Sequence, residues 1–389
     1  MRTLALLFGC EALARSTNTI LLTTMALCGS YLAPDPAVAT LPLALAPVST
    51  MLITVPAARL MQRHGRRAGF AVGAGLGIVG ALVCSAAVVM SHFPTLCAGA
   101  MLLGSFNGFA TYIRFAAGEA APAEFRSRAI SLVMAGGIAA AFIGANLAVQ
   151  ARDWFPGYPF AGPFVSVALL HVGLLTLLGF TRLPKPQAAD TRSSGRPLRQ
   201  IARQPDFMLA VIGAFTSWGV MSLLMNATPL SMERHHHSFD DTAWVIQWHI
   251  LGMYVPSFFT GHLIRWWGEH RIMSAGLLLL LGAALVNTGG TGLYQYWLGL
   301  TLLGVGWNFL FTGATTLLTQ TYEPPEKARV QAFNDFAIFG IMVLSTFSSG
   351  PLENLVGWAT LNRMAVPLVL LVGLGFALIH VRRRIETST

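Results

Sequence analysis

Charge is what this sequence has least of. Only 11% of its 389 residues are Asp, Glu, Lys or Arg, while 54% are hydrophobic. A soluble domain carries about 25% charged residues, which keep its surface in water. The mean hydropathy of +0.61 points the same way. This shortage excludes an ordinary soluble enzyme and a disordered chain, because the two or three soluble domains of this length could not be coated. Cysteine is scarce as well. Cys10, Cys28, Cys84 and Cys97 form no CxxC pair, so neither a disulfide framework nor a zinc site is expected from them. No GxxxxGKS or GxxxxGKT segment is present, which removes the phosphate loop of an ATP-driven pump. No catalytic constellation stands out, and no enzyme is expected.

What is there is apolar sequence in long stretches. Each bilayer-spanning helix needs about 20 mostly apolar residues. Twelve such stretches occur, at 3–31, 37–61, 68–91, 94–118, 127–151, 161–181, 205–230, 243–266, 271–290, 293–319, 328–350 and 364–381. They are too long for barrel strands and lack alternation. The first stretch begins like a signal peptide but runs on to Tyr31 with no soluble domain after it, so it reads as an uncleaved first span.

The basic residues have a side. With the N-terminus placed in the cytoplasm, 20 of the 25 Lys and Arg fall on the inner side. Only Arg152, Arg234 and Arg363 fall outside, and Arg15 and Arg114 lie within spans. Such a bias orients membrane proteins. It predicts both termini in the cytoplasm, and it accounts for the net charge of +9 without any nucleic acid.

The inner loop 182–204 is rich in Pro, Arg and Ser and poor in apolar residues. It reads as a linker between a bundle at 1–181 and a second bundle at 205–389. The halves resemble each other: LLGSFNGF (102–109) matches LLGVGWNF (302–309), Arg128 matches Arg329, and Ala58, Leu60 and Gly65 match Gly261, Leu263 and Gly268. A repeat of six spans is what the two halves of a rocking carrier leave in sequence.

With these features the chain resembles the major facilitator superfamily over its full length. The loop that marks that family, of the form GxLxDRxGRR, stands here as ARLMQRHGRR (58–67), with Ala58 for the first Gly and Gln62 for the Asp. A second copy, GHLIRWWGEH (261–270), has Arg265 in the Asp position. The resemblance implies an all-α membrane fold of twelve helices in two pseudo-symmetric six-helix bundles around a cavity.

Two spacings suggest a cargo. MSLLM in the seventh span sets Met221 and Met225 four residues apart, and HILGM in the eighth does the same for His249 and Met253. Each pair shares a helix face. The two spans run antiparallel, and Met225 and His249 are about equally far from the turn between them. The spacing therefore predicts them at one depth, with Met221 and Met253 about one turn (5.4 Å) deeper. Thioethers and imidazole are soft, uncharged donors that favour cuprous copper, and they cost less in hydrocarbon than carboxylates. Packing of the Met residues is the plainer alternative.

The same spacings resemble the CcoA-type copper importers of the superfamily. This likeness implies Met221, Met225, His249 and Met253 as metal-binding residues. It also implies copper uptake across a bacterial inner membrane to supply a haem–copper oxidase. The partners implied are the copper ion, the lipid bilayer, a periplasmic copper donor and a cytoplasmic copper chaperone, with copper as cargo and no organic cofactor. The outer loop offers Met232, His235, His236 and His237 as a capture site, with a solvated loop as its alternative, and Met25, Met51 and Met342 within other spans are expected as later ligands for an ion passing inward.

A proton-coupled carrier of a small organic solute or drug is the competing expectation. It would use the intramembrane charges Glu11, Arg15, Arg114 and Asp335 for gating or coupling, with the Met residues merely lining a pocket. Glu11 and Arg15 are i,i+4 neighbours, so mutual neutralisation is a further reading for that pair.

Overall fold

A computed structural model describes residues 2–122, 125–181, 183 and 195–388, and only the backbone at 126–128, 324, 328 and 377–388. Most of the 182–204 linker thus lies outside the described residues. All regular structure among them is helical.

Helix α1 (Arg2–Leu32) carries a run of Ser and Thr through apolar surroundings. It tolerates them because the hydroxyls bond back to the preceding turn: Ser16 to the Ala12 carbonyl (2.8 Å), Thr23 to Thr19 (2.8 Å), Thr24 to Ile20 (2.6 Å). Without water, every polar group in a span must find its partner inside the protein. Helices α2 (Leu41–His64), α3 (Arg66–Val89), α4 (Phe93–Ala110), α5 (Ile113–Glu119), α6 (Arg126–Met134), α7 (Gly136–Ala151) and α8 (Ala161–Gly179) complete the first half. After the short α9 (Leu198–Ile201) come α10 (Pro205–Arg234), α11 (Phe239–Tyr254), α12 (Ser257–Trp267), α13 (Glu269–Thr288), α14 (Leu293–Thr319) and α15 (Lys327–Ser388).

Nine helical stretches among the described residues are long and apolar enough to cross a membrane unaided. Three features account for the difference from twelve. The polar run, with Glu11 and Arg15, dilutes α1. The eighth crossing is divided at Pro256 into α11 and α12, each short alone, as a residue without an N–H divides a helix. Finally, α15 turns at Gly357, whose φ of 75° suits only glycine, so this one helix contains the last two crossings.

Small residues let the helices approach. Gly73 of α3 faces Phe109 of α4, Gly77 faces His171 of α8, and the Gly80–Gly99 contact joins α3 and α4. Gly276 and Gly306 bring α13 and α14 together in the same way. The repeat is visible in the backbone: Gly65, before α3, has φ 89° and ψ 159°, and Gly268, before α13, has φ 82° and ψ 158°. Beside the first of these turns, Arg66 forms a two-pronged pair with Glu119, at 2.6 and 3.1 Å.

Apolar clusters fill each half. Two lie among α1–α8 and a third among α10–α15, with Phe239 and Ala141 reaching across. The halves meet at the end that carries the His235–His237 turn. There Gly350 N–H donates to the Thr40 hydroxyl (3.2 Å), Ser30 to Glu233 (3.4 Å), and Phe160 packs on Phe239 with centroids 5.8 Å apart. A cavity of about 290 Å³ lies against this seam, between Ser30, Pro36, Glu233, Arg234 and Glu353.

A crevice framed by helices α10, α11 and α14

Helix α14 organises the second half. Both α10 and α11 lean on it, and they touch each other only slightly. The turn joining α10 and α11 is short, but α14 supplies the surface on which each packs.

The faces of α14 can be assigned from its contacts. Towards α10 it presents Tyr296, whose hydroxyl lies 2.7 Å from the Ser231 hydroxyl, and Ala314, which lies against Gly213. Towards α11 it presents Leu300, whose carbonyl meets His249, Gly304, which meets the His249 carbonyl, and Asn308, which donates to the Met253 carbonyl at 2.7 Å. At about 100° per residue, Trp307 and Phe311 fall between these two faces. They lie against Trp218 of α10, beside the gap where α10 and α11 make little contact with each other. On α10, Gly213 and Ser231 face α14 and Gly219 faces Ile341 of α15. Trp218, Met221 and Met225, spaced i, i+3, i+7, share the face left over.

Three aromatic rings meet there. Trp307 and Phe311 stack with centroids 5.1 Å apart and planes at 23°. Trp218 stands edge-on to both, at 5.0 Å from Trp307 and 5.7 Å from Phe311. Trp307 is buried, while Trp218 and Phe311 are half-buried. The indole N–H groups of Trp218 and Trp307 have no hydrogen-bond partner among the described residues. Sequence reasoning missed all three. The available signals were Trp218 one turn before Met221 on the same face, and Trp307 within the repeated LLGVGWNF segment.

His249 is fully buried, and its Nδ1 lies 2.8 Å from the Leu300 carbonyl. A carbonyl only accepts, so Nδ1 carries the proton and Nε2 keeps its lone pair. Nε2 has no partner among the described residues. Met221, Met225 and Met253 are all buried in the same apolar cluster. With Tyr296 opposite Ser231 and Leu300 opposite His249, α14 serves as a ruler. It places Met225 within about 3 Å of His249 in height, and Met221 similarly close to Met253, at 1.5 Å rise per residue.

The other predicted residues take separate places. His235 Nδ1 lies 2.7 Å from the Ser231 carbonyl and 3.2 Å from the Tyr296 hydroxyl. His237 Nε2 lies 2.7 Å from the Thr291 carbonyl, His236 is exposed with φ 61°, and Met232 is buried. His235 and His237 therefore turn to different partners, and His236 stays exposed. No three His, Cys, Asp or Glu side chains among the described residues are grouped to hold a metal ion. Of the intramembrane charges, Arg15 Nε lies 2.7 Å from Glu11 Oε1, a buried carboxylate held by a half-buried base. Arg114 has Arg15, Asp335, Glu11 and Tyr112 as its ionisable neighbours. This names the basic neighbour of Asp335 that the sequence alone could not give. Both Arg114 and Asp335 are exposed. Tyr254 of α11 also reaches the first half, lying against Gly137.

Comparison with known proteins settles the family. The family described as Major Facilitator Superfamily matches residues 4–346. The chain belongs to this superfamily. Within it, the chain is 38% identical over 375 residues to the riboflavin transporter RfnT of Brucella anthropi, covering 95% of this chain and 94% of that protein. It is 29% identical over 314 residues to the uncharacterised MFS-type transporter YddS of Bacillus subtilis, covering 76% and 71%. Among solved structures, the fucose:proton symporter FucP of E. coli superposes with a TM-score of 0.60 at 14% identity, covering 96% of this chain and 98% of that one. That likeness carries the fold alone. The chain is thus a multi-pass membrane protein of the major facilitator fold, a superfamily of secondary transporters.

Proposed function

We propose that this protein is a secondary transporter of a small heteroaromatic solute of the riboflavin class. It works by alternating access in the bacterial inner membrane with both termini in the cytoplasm. The observation that carries this reading is the 38% identity to a riboflavin transporter across 95% of the chain. The crevice supports it, since aromatic rings and polarizable thioethers form a surface that suits a flat, apolar ring system. The 20-to-3 split of basic residues supports the orientation. The solute-carrier expectation is thereby favoured over the copper expectation.

Copper import remains the second reading, for a specific reason. The lone pair of His249 Nε2 has no partner among the described residues, and three buried thioethers lie at nearby heights. A copper donor and a copper chaperone belong to that reading only.

Uptake in riboflavin-requiring cells separates the two. Expression of the protein should support growth on low riboflavin, while cellular copper stays constant. Failure to support growth, together with copper accumulation lost in Met221→Ala and His249→Ala, would reverse the order of the two readings.

A further inference from the structure

We infer that Trp218, Trp307 and Phe311 form the subsite that receives the planar ring of the transported solute, with the indole N–H of the edge-on Trp218 donating to an acceptor on the ring edge. This deepens the proposed function and rests on it.

The geometry leads to this subsite by three steps. First, Trp307 and Phe311 lie on α14 between Tyr296, which touches α10, and Asn308, which touches α11, so their rings border the gap left where those two helices make little contact. Trp218 reaches the same opening from α10. Second, the rings are arranged as a corner, with two nearly parallel rings at 23° and a third edge-on at 87° and 82°. A flat heterocycle entering that corner exchanges one aromatic contact for another. It can stack where Trp218 now stands edge-on, at little cost in lost packing. Third, a buried indole N–H normally finds a hydrogen-bond partner, yet those of Trp218 and Trp307 find none among the described residues. Trp307 is 7% exposed, so solvent does not serve that group. A ring with carbonyl oxygens on its edge, as a flavin has, supplies an acceptor to the edge-on Trp218 when it stacks beside it.

The chemistry also states what the subsite does not recognise. Stacking and an edge-on donor select a flat ring with an edge acceptor. They do not select the polyol chain of riboflavin, which carries no π-face. Lumichrome, the ring without its chain, should therefore compete, and ribitol should not.

The test uses the whole protein, purified in nanodiscs, with riboflavin as probe. Wild type is expected to bind riboflavin with its fluorescence quenched, because stacking on indole quenches flavin emission. Trp218→Ala and Trp307→Ala are each expected to weaken binding about tenfold or more, the range of one lost aromatic stack. Trp307→Phe is expected to recover most of the affinity, keeping the face and losing only the donor. Thermal unfolding checks that each variant is folded, and the Phe variant keeps the test open should an alanine variant fail. Alanine variants that bind as tightly as wild type, with equal quenching, would overturn the inference alone. So would competition by ribitol and not by lumichrome. If wild type binds no riboflavin, the proposed function falls, and this inference with it.

Discussion

His249 donates from Nδ1 to the carbonyl of Leu300 at 2.8 Å, and that bond leaves a bare lone pair on Nε2 in a fully buried side chain. The bond fixes the tautomer, and it ties α11 to α14 beside the crevice. In His249→Phe, one hydrogen bond is lost and one unsatisfied buried atom is removed. These changes oppose each other, so stability should shift by no more than about 1 kcal/mol. Transport, in contrast, should fall several-fold, because the lone pair is a buried acceptor with no partner among the described residues and is free to take a donor from the solute. Melting temperature and uptake, measured on the same variant, check this. Unchanged transport would mean that Nε2 serves no ligand.

The α11–α14 contact makes a second prediction. A Cβ on Gly304 would meet the His249 carbonyl and the Gly252 backbone, none of which can turn aside. Gly304→Ala should therefore destabilise by about 1–3 kcal/mol, the range of overpacking. Gly340 sits in α15 with nothing near its missing side chain. Gly340→Ala should be neutral, or stabilise by about 0.5–1 kcal/mol, because alanine loses less chain entropy in a helix. Thermal unfolding of the two variants side by side tests the assignment of close packing.

The fold was legible because its causes are long-range in sequence but simple in kind. Long apolar stretches express a constraint the bilayer imposes. The two halves have kept Gly65 and Gly268 at nearly identical dihedrals. The site was less legible. Spacing gave the heights of Met225 and His249, since a short turn between antiparallel helices fixes height. It could not give what lies beside them. That depends on α14, some fifty residues further on, whose Leu300 takes the His249 ring and whose Trp307 and Phe311 fill the crevice. The histidine loop shows the same limit. Only two positions apart, His235 and His237 turn to Ser231 and Thr291.

A third prediction concerns the end of the linker, outside the spans. Arg196 holds Glu326 by side-chain bonds of 2.8 Å to each oxygen and by its backbone N–H at 2.7 Å. These bonds, with the Glu323 N–H, hold the Glu326 carboxyl down at about 2, below the usual carboxylate range. A group lowered in the folded state stabilises at pH values above its unfolded value. That contribution is lost as pH falls through the window from about 4.3 to about 2. Glu326→Gln should therefore lower the melting temperature at neutral pH, and the gap to wild type should close as the pH approaches 2. A gap that stays constant down to that pH would show that the carboxylate charge is not what holds the linker end.

The seam between the halves gives a fourth. Gly350 N–H donates to Thr40 at 3.2 Å, and a Cβ at Gly350 would stand 2.7 Å from the Thr40 hydroxyl oxygen. Gly350→Val should hold the two halves apart at this end and slow transport, with little loss of protein. A cysteine placed at Ser30, which lines the adjoining cavity, should then react faster with a membrane-impermeant thiol reagent. Equal labelling with and without the Gly350 change would place the seam's control elsewhere.

The central claim is that a flat heteroaromatic solute, rather than a metal ion, moves through the crevice framed by α10, α11 and α14. Flux into proteoliposomes holding only the purified protein tests it most directly, with labelled riboflavin and copper offered separately. The account predicts saturable riboflavin flux that falls in Trp218→Ala and Trp307→Ala, and copper flux no greater than in empty liposomes. Copper flux that disappears in Met221→Ala and His249→Ala, with no riboflavin flux in wild type, would contradict it.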